Sequence, residues 1–228
     1  MTNLAYRNEF KHIITVADAA VLRSRLSCVL RLDPHARPEG SYHVRSLYFD
    51  TPEDRALRDK IDGAPMKEKF RIRLYNHDHS FIRLEKKVKH YGKAAKLGAR
   101  VTREEVQDIC RGEVAFLRDS DQVLLREFYL KVRTERWLPR TVVDYLREAY
   151  LHRPGNVRVT LDSDVRASIN ATDLFDADLP TAPALEPGIC ILEVKFDGFL
   201  PEVVQDIIQL GKCSPVAVSK YAACRVYT

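Results

Sequence analysis

The chain of 228 residues has a formal net charge of +5 and 45% hydrophobic residues, so it can bury a full core and is not uniformly basic. No apolar run approaches the roughly 18 residues of a membrane span. Its five cysteines are odd in number and lack the spacing of a thiolate zinc site, which argues against a disulfide framework and a zinc centre. We expect one soluble domain, residues 1–228, in the reducing cytoplasm.

Alternating polarity predicts strands, and apolar residues at helical spacing predict helices. The strands lie at about 6–14, 42–49, 67–75, 81–89, 140–150, 157–165 and 188–196. The helices lie at about 18–30, 52–60, 102–112, 120–132, 201–210 and 214–226. Asp18 is the expected cap of the first helix, and Thr102 with Glu105 forms a capping box. The basic segment 91–100 is predicted to be a mobile loop.

Four predicted strands carry charges at every second residue. These rows are Arg7-Glu9-Lys11, Lys67-Lys69-Arg71-Arg73, Arg83-Glu85-Lys87-Lys89 and Glu193-Lys195. Since successive strand side chains point to opposite faces, the intervening Phe70, Ile72 and Leu74 form a separate apolar face. A face of Arg and Lys interrupted by regular Glu is expected in a barrel or cleft that holds a polyanion. The alternative is a salt-bridged outer face.

The carboxylates in these rows have two interpretations. Among basic residues they suggest a divalent cation on hard oxygen ligands beside phosphates, and Glu193 is the favoured ligand. Glu9 and Glu85 could also bind metal, or they could only neutralise neighbouring lysines. Asp162, on the same predicted face as Arg158, is a further candidate for binding metal or positioning water.

Two further groups of residues also have two interpretations. Lys93, Lys96 and Arg100 could close over the mouth of a cleft, or they could belong to a solvated loop. Tyr48 and Tyr145 could brace arginines, or they could pack in the core.

These motifs together resemble the VTC domain, the polyphosphate polymerase module of the vacuolar transporter chaperone, within the triphosphate tunnel metalloenzyme (CYTH-like) superfamily. The similarity spans nearly the whole chain. The motifs are Arg7-Asn8-Glu9-Phe10-Lys11-His12, Ser46-Leu47-Tyr48-Phe49-Asp50-Thr51, Lys69-Phe70-Arg71-Ile72-Arg73, Leu84-Glu85-Lys86-Lys87, Leu192-Glu193-Val194-Lys195-Phe196 and Ser219-Lys220-Tyr221. The resemblance implies an α+β fold in which a closed antiparallel β-barrel forms a tunnel with flanking helices.

The resemblance also implies roles for individual residues. The catalytic, phosphate-gripping residues would be Lys11, Arg71, Arg73 and Lys87. The further substrate-binding residues would be Arg147, Arg158, Lys195, Ser219 and Lys220. Glu193, and with it Glu9 or Glu85, would hold Mn²⁺ or Mg²⁺.

The implied function is transfer of the terminal phosphate of ATP to a polyphosphate chain. Arg7 stands where many superfamily hydrolases and cyclases carry a glutamate, and Ala217 stands where eukaryotic polymerase modules carry a lysine. An inorganic triphosphatase that acts on tripolyphosphate and a non-catalytic polyphosphate-binding module are therefore alternatives. A nucleic-acid partner is not expected, because no aromatic residues interleave with the basic rows on their face. Any membrane association would need a separate membrane-protein partner.

Overall fold

The computed structural model describes residues 6–91, 93–210 and 218–227. They form an α+β fold built on one ten-stranded antiparallel sheet. The strands are β1 (Asn8–Thr15), β2 (Arg31–Leu32), β3 (Tyr42–Asp50), β4 (Met66–Tyr75), β5 (Asp78–His90), β6 (Lys93–Val101), β7 (Leu138–His152), β8 (Val157–Ser168), β9 (Thr181–Pro183) and β10 (Ile189–Phe196). The helices are α1 (Val16–Val29), α2 (Arg55–Ile61), α3 (Arg103–Arg111), α4 (Val123–Glu135), α5 (Glu202–Ile208) and α6 (Lys220–Cys224).

The strand order is β1-β10-β8-β7-β3-β4-β5-β6, with β2 added to β7 and β9 added to β8. The two edge strands approach each other at one point. Arg7 and Ala94 exchange backbone hydrogen bonds of 2.9 and 3.1 Å. No ladder joins β1 to β6 beyond this pair in the described residues, so the predicted closed barrel is not confirmed. The sheet is curled, and its edges touch at a single bridge.

The two faces of the sheet differ as the alternation predicted. Phe70, Ile72 and Leu74 are buried in the larger apolar core with Phe128 of α4. A second core lies under α1 and α5. Helices α1, α4 and α5 therefore cover the apolar face, and the charged face lies inside the curl. A hydrogen bond from Lys87 of β5 to Glu9 of β1 crosses this interior between strands that are not neighbours.

Some predicted elements were wrong in detail. Residues 93–101 form β6 rather than a mobile loop. Thr15 is the N-cap of α1, and Asp18 completes the capping box instead of capping the helix. Of the last predicted helix, α6 covers only Lys220–Cys224, and residues 214–217 lie outside the described ranges.

None of the described helices is both long enough and apolar enough to cross a lipid bilayer. Cys28, Cys110, Cys190 and Cys224 are free thiols, and Cys213 lies outside the described ranges.

Candidate functional site

Residues of β4, β5 and β6, most of them charged, align in four rows across the three strands. From one end to the other these are the arginine row (Arg73, Arg83, Arg100), a mixed row (Arg71, Glu85, Gly98), the lysine row (Lys69, Lys87, Lys96) and an end row (Lys67, Lys89, Ala94). Residues paired directly across antiparallel strands lie on the same face. All four rows therefore lie on the concave face.

The other half of the concave face comes from β1, β10, β8 and β7. Its charged side chains are Glu9 and Lys11 of β1, Glu193 and Lys195 of β10, Arg158 and Asp162 of β8, and Arg147 of β7. Lys11 is paired directly with Glu193, and Glu9 with Lys195. The structure therefore brings the predicted strand residues of the site to one face. Arg158 lies at its end, where it donates hydrogen bonds to Asp33 (2.8 Å) and the Tyr42 hydroxyl (2.7 Å).

Each predicted metal-ligating glutamate on this face is paired with basic residues. Glu85 accepts hydrogen bonds from Arg71 (2.7 Å) and Lys96 (2.8 Å). Burial would raise the pKa of Glu85, but these cations hold it well below its usual range. For Glu9, burial is likewise outweighed, chiefly by the attraction of Lys87, and the pKa falls to about 2.

Of the predicted metal ligands, Glu193 and Glu9 lie on either side of one lysine, Lys11. Lys11 Nζ lies between them, 3.5 Å from Glu9 Oε1 and 3.3 Å from Glu193 Oε2. No cluster of three His, Cys, Asp or Glu residues able to hold a metal occurs in the described part of the chain. Mg²⁺ is usually held by one or two carboxylates together with substrate phosphates, and these hard oxygen donors fit that pattern.

Asp162 is also paired with two cations, but one of them, Lys220, comes from helix α6. Arg147 donates to both of its oxygens at 2.6 and 2.7 Å, and Lys220 Nζ donates to Oδ2 at 2.5 Å. Burial opposes ionisation of Asp162, but Arg147 and Lys220 lower its pKa to about 2. The carboxylate therefore fastens α6 to the sheet in this arrangement.

Lysines are crowded at the opposite end from the arginine row. Burial, and then repulsion from Lys11 and Lys60, lowers the pKa of Lys69 to about 7. Burial and repulsion from Lys11 also lower the pKa of Lys87 to about 7, although Glu9 opposes this. The crowding extends to Lys60 of α2, whose pKa is lowered by burial and then by Lys67, Lys89 and Lys11. A polyanion would relieve this repulsion.

Helix α6 brings the terminal motif to the same face. Ser219 Oγ accepts a hydrogen bond from Lys69 Nζ (3.1 Å) and also caps α6 by accepting one from Ala222 N (3.3 Å). Lys220 Nζ lies 4.8 Å from the centroid of the Tyr145 ring. The predicted Ser219 and Lys220 are therefore both at the site.

Tyrosines brace the arginines of β4, which was one of the two interpretations of the sequence. Arg71 donates to the Tyr48 hydroxyl (2.9 Å), and Arg73 donates to the Tyr145 hydroxyl (3.0 Å) and to Ser46 Oγ (2.9 Å). These contacts fix both guanidinium groups before any ligand binds.

The sequence analysis did not place Lys96 on a strand of the site. It considered Lys96 as part of a segment closing over a cleft or of a solvated loop, but Lys96 lies on β6, completes the lysine row and pairs with Glu85. The signal was the alternation of Ala95, Leu97, Ala99 and Val101, which places every other residue of β6 on the apolar face. Small alanines made that alternation weak.

Comparison with known proteins gives one family match. A model of the VTC domain matches residues 6–227. No curated protein matches the chain. A solved structure from Bacillus halodurans, of a protein provisionally named an adenylate cyclase, superposes with a TM-score of 0.51 at 15% identity and covers 89% of this chain and 87% of that chain. The PH1012 protein from Pyrococcus horikoshii OT3 gives a TM-score of 0.44 at 14% identity, with coverage of 89% and 85%. The first of these similarities shows a shared fold.

Proposed function

Since this chain belongs to the VTC domain family, we propose that it is a metal-dependent phosphotransferase of the polyphosphate polymerase type. It would transfer the terminal phosphate of ATP to a polyphosphate chain bound along the concave face. The cytoplasm is the proposed compartment, because the substrate is ATP.

The observation that carries this proposal is the lysine row. Lys69, Lys87 and Lys96 lie directly opposite one another on adjacent strands, and like charges in that position are destabilising. Only Lys87 and Lys96 have a carboxylate partner among the described residues. A phosphate chain carries one or more negative charges at every unit, so it would balance this row and the end row beside it.

The side chains on this face suit phosphoryl transfer, which depends mainly on positioning and on neutralising charge. Arg71 and Arg73 are held by tyrosine hydroxyls, so their guanidinium groups can bind phosphate oxygens with little reorganisation. Lys11 would add a point charge from β1, across the concave face, and Lys87 would add one from the neighbouring strand β5. Glu193 and Glu9 would hold Mn²⁺ or Mg²⁺, which when bound neutralises oxygens of the transferring phosphate.

One observation favours a second candidate function, that of an inorganic triphosphatase. On the concave face of β6, Lys96, Gly98 and Arg100 are exposed to solvent, whereas Ala94 is buried. Water could therefore reach a bound phosphate from this side and replace the acceptor chain.

The test is incubation of the purified protein with ATP and Mn²⁺, and separately with tripolyphosphate and Mn²⁺, with the products resolved by gel electrophoresis and phosphate assay. Long chains formed from ATP support the polymerase. Orthophosphate from tripolyphosphate without chains supports the triphosphatase, and binding without turnover supports a binding module. Arg71→Gln should abolish the activity, whereas Arg31→Gln, at an exposed position of β2, should leave it unchanged.

A further inference from the structure

The arginine row lacks compensating charge. Arg73, Arg83 and Arg100 are directly opposite one another, which costs stability unless an anion lies between them. The nearest carboxylate contact of Arg73 is 3.9 Å, to Glu85. Within the described ranges, Arg83 and Arg100 have no ion-pair partner, and Arg83 Nε is buried without a hydrogen bond. The row is therefore incomplete without an anionic ligand.

An aromatic ring lies at the outer end of this row. The guanidinium carbons of Arg83 and Arg100 lie 5.9 and 5.3 Å from the centroid of the Phe81 ring. Phe81 is 39% exposed, although it is a large apolar residue. Guanidinium planes and aromatic rings are the two surfaces on which nucleobases stack. The lysine and end rows at the other end present ammonium groups, which bind phosphate as point charges without a plane for stacking.

Gly98 makes room for the Arg83 side chain. A Cβ at position 98 would lie 2.5 Å from Arg83 Nη2. Since Gly98 faces the concave side of β6, the absence of a side chain lets Arg83 lie across the strand towards the open edge. The Arg83 guanidinium group therefore lies over Gly98, on the β6 side of β5, with its carbon 5.9 Å from the centroid of the Phe81 ring.

We propose that Phe81, Arg83 and Arg100 form a nucleoside subsite, in which the two arginines bind the α-phosphate of a nucleoside triphosphate and its base stacks on the exposed ring and guanidinium surfaces. This subsite rests on the proposed function, since Arg73 connects it to the residues that bind the remaining phosphates. The subsite would fix the orientation of a nucleoside triphosphate along the concave face. The nucleoside lies at the arginine end, and the phosphate chain extends towards the lysine end.

The test compares two ligands that share a triphosphate and differ in the base. Dissociation constants are measured by calorimetry for the β,γ-imido analogue of ATP and for tripolyphosphate. Phe81→Leu, which removes the ring and keeps apolar volume, should weaken binding of the ATP analogue about tenfold and leave tripolyphosphate binding unchanged. Phe81→Tyr, which keeps an aromatic ring, should bind the ATP analogue with the same dissociation constant as the wild type. The matched control is Phe116→Leu, because Phe116 is 40% exposed and lies on a separate 3₁₀ helix.

A second measurement uses the wild-type protein alone, so it does not depend on the folding of a variant. Nuclear Overhauser effects between adenine H2 or H8 and an aromatic ring of the protein are expected. Equal weakening of both ligands by Phe81→Leu, no weakening of either, or the absence of such effects would overturn the subsite while the phosphate site stands. Wild-type protein that binds neither ligand would overturn the proposed function and the subsite together.

Discussion

The hydroxyl of Tyr221 donates a 2.7 Å hydrogen bond to Asp50 Oδ2 and so joins helix α6 to the end of strand β3. The same buried carboxylate accepts hydrogen bonds from three backbone amides, those of Thr51, Ala56 and Leu57. Two of these amides belong to the first turn of α2. A single side chain therefore holds α2, which carries Lys60, and α6, which carries Lys220, against the sheet.

Removing the Tyr221 hydroxyl should loosen this junction. Tyr221→Phe keeps the stacking on Tyr48 but leaves one buried oxygen of Asp50 short of a partner. We expect the free energy of unfolding to fall by about 1–2 kcal/mol, measured by urea denaturation. Tyr91→Phe, at an exposed position, is the control and should have no effect. An unchanged unfolding midpoint for Tyr221→Phe would contradict the role of this hydrogen bond.

Local alternation was sufficient to predict which side chains share the charged face, because the period of two is set by strand geometry alone. It placed Lys11, Arg71, Arg73, Lys87 and Glu193 correctly on one side. It could not predict their partners. Glu9 meets Lys87 only because the sheet curls until β1 faces β5, and curl and register depend on the whole chain. The closed barrel that the family resemblance implied is not confirmed, since closure depends on how far β1 and β6 overlap.

The assignment of β6 predicts different effects for two lysines on this one strand. Lys96 lies on the concave face against Glu85, whereas Lys93 is at an odd-numbered position, on the face shared by the buried Ala95 and Ala99. Lys96→Ala should weaken tripolyphosphate binding about fivefold. Lys93→Ala should change it little. Calorimetric titration of both variants is the measurement, and equal effects would indicate that both lysines act only through general surface charge.

Polyanion affinity should depend on the protonation of Lys69. In the free protein its pKa is lowered to about 7 by burial and then by nearby lysines. A bound polyanion favours the charged ammonium group. Below about pH 7 Lys69 already carries its proton, whereas above it binding must also take up a proton, so affinity should fall as the pH rises from about 7 to about 9. The measurement is the dissociation constant of tripolyphosphate across this range.

Lys69→Met provides the control, because tripolyphosphate itself also titrates. The variant should bind more weakly than the wild type at about pH 6, and the difference should shrink as the pH rises towards 9. A difference that does not change with pH would show that Lys69 does not titrate in this range.

The same variant has a second expected effect, on folding. The pKa of Lys69 is about 7 in the folded chain and about 10.4 in an unfolded one, so the unfolded chain binds more protons between these values. The cost of holding the charged ammonium group is therefore complete below about pH 7 and is relieved as the pH rises. Lys69→Met should be more stable than the wild type at about pH 6, and this gain should fade towards pH 10. Urea denaturation at the two pH values is the measurement.

Glu193→Gln separates metal binding from simple charge balance. Glu193 is paired with Lys11 and Lys195, and burial is outweighed by these cations, so its pKa lies well below the usual range. Replacing it with the neutral amide leaves both lysines less compensated. Tripolyphosphate binding in the absence of metal should therefore become tighter, about threefold to tenfold. If Glu193 also holds Mn²⁺, turnover should fall at least about 100-fold despite the tighter binding.

Tighter metal-free binding and lower turnover are opposite effects, so Glu193→Gln tests both charge balance and metal binding. The measurements are calorimetry with EDTA present and activity as a function of Mn²⁺ concentration. Lys195→Met serves as the opposing control, because it removes a cation beside Glu193 and should weaken metal-free binding. A Mn²⁺ curve for Glu193→Gln that coincides with that of the wild type would mean that Glu193 is not the ligand. Glu9, which lies on the other side of Lys11, would then be the next residue to substitute.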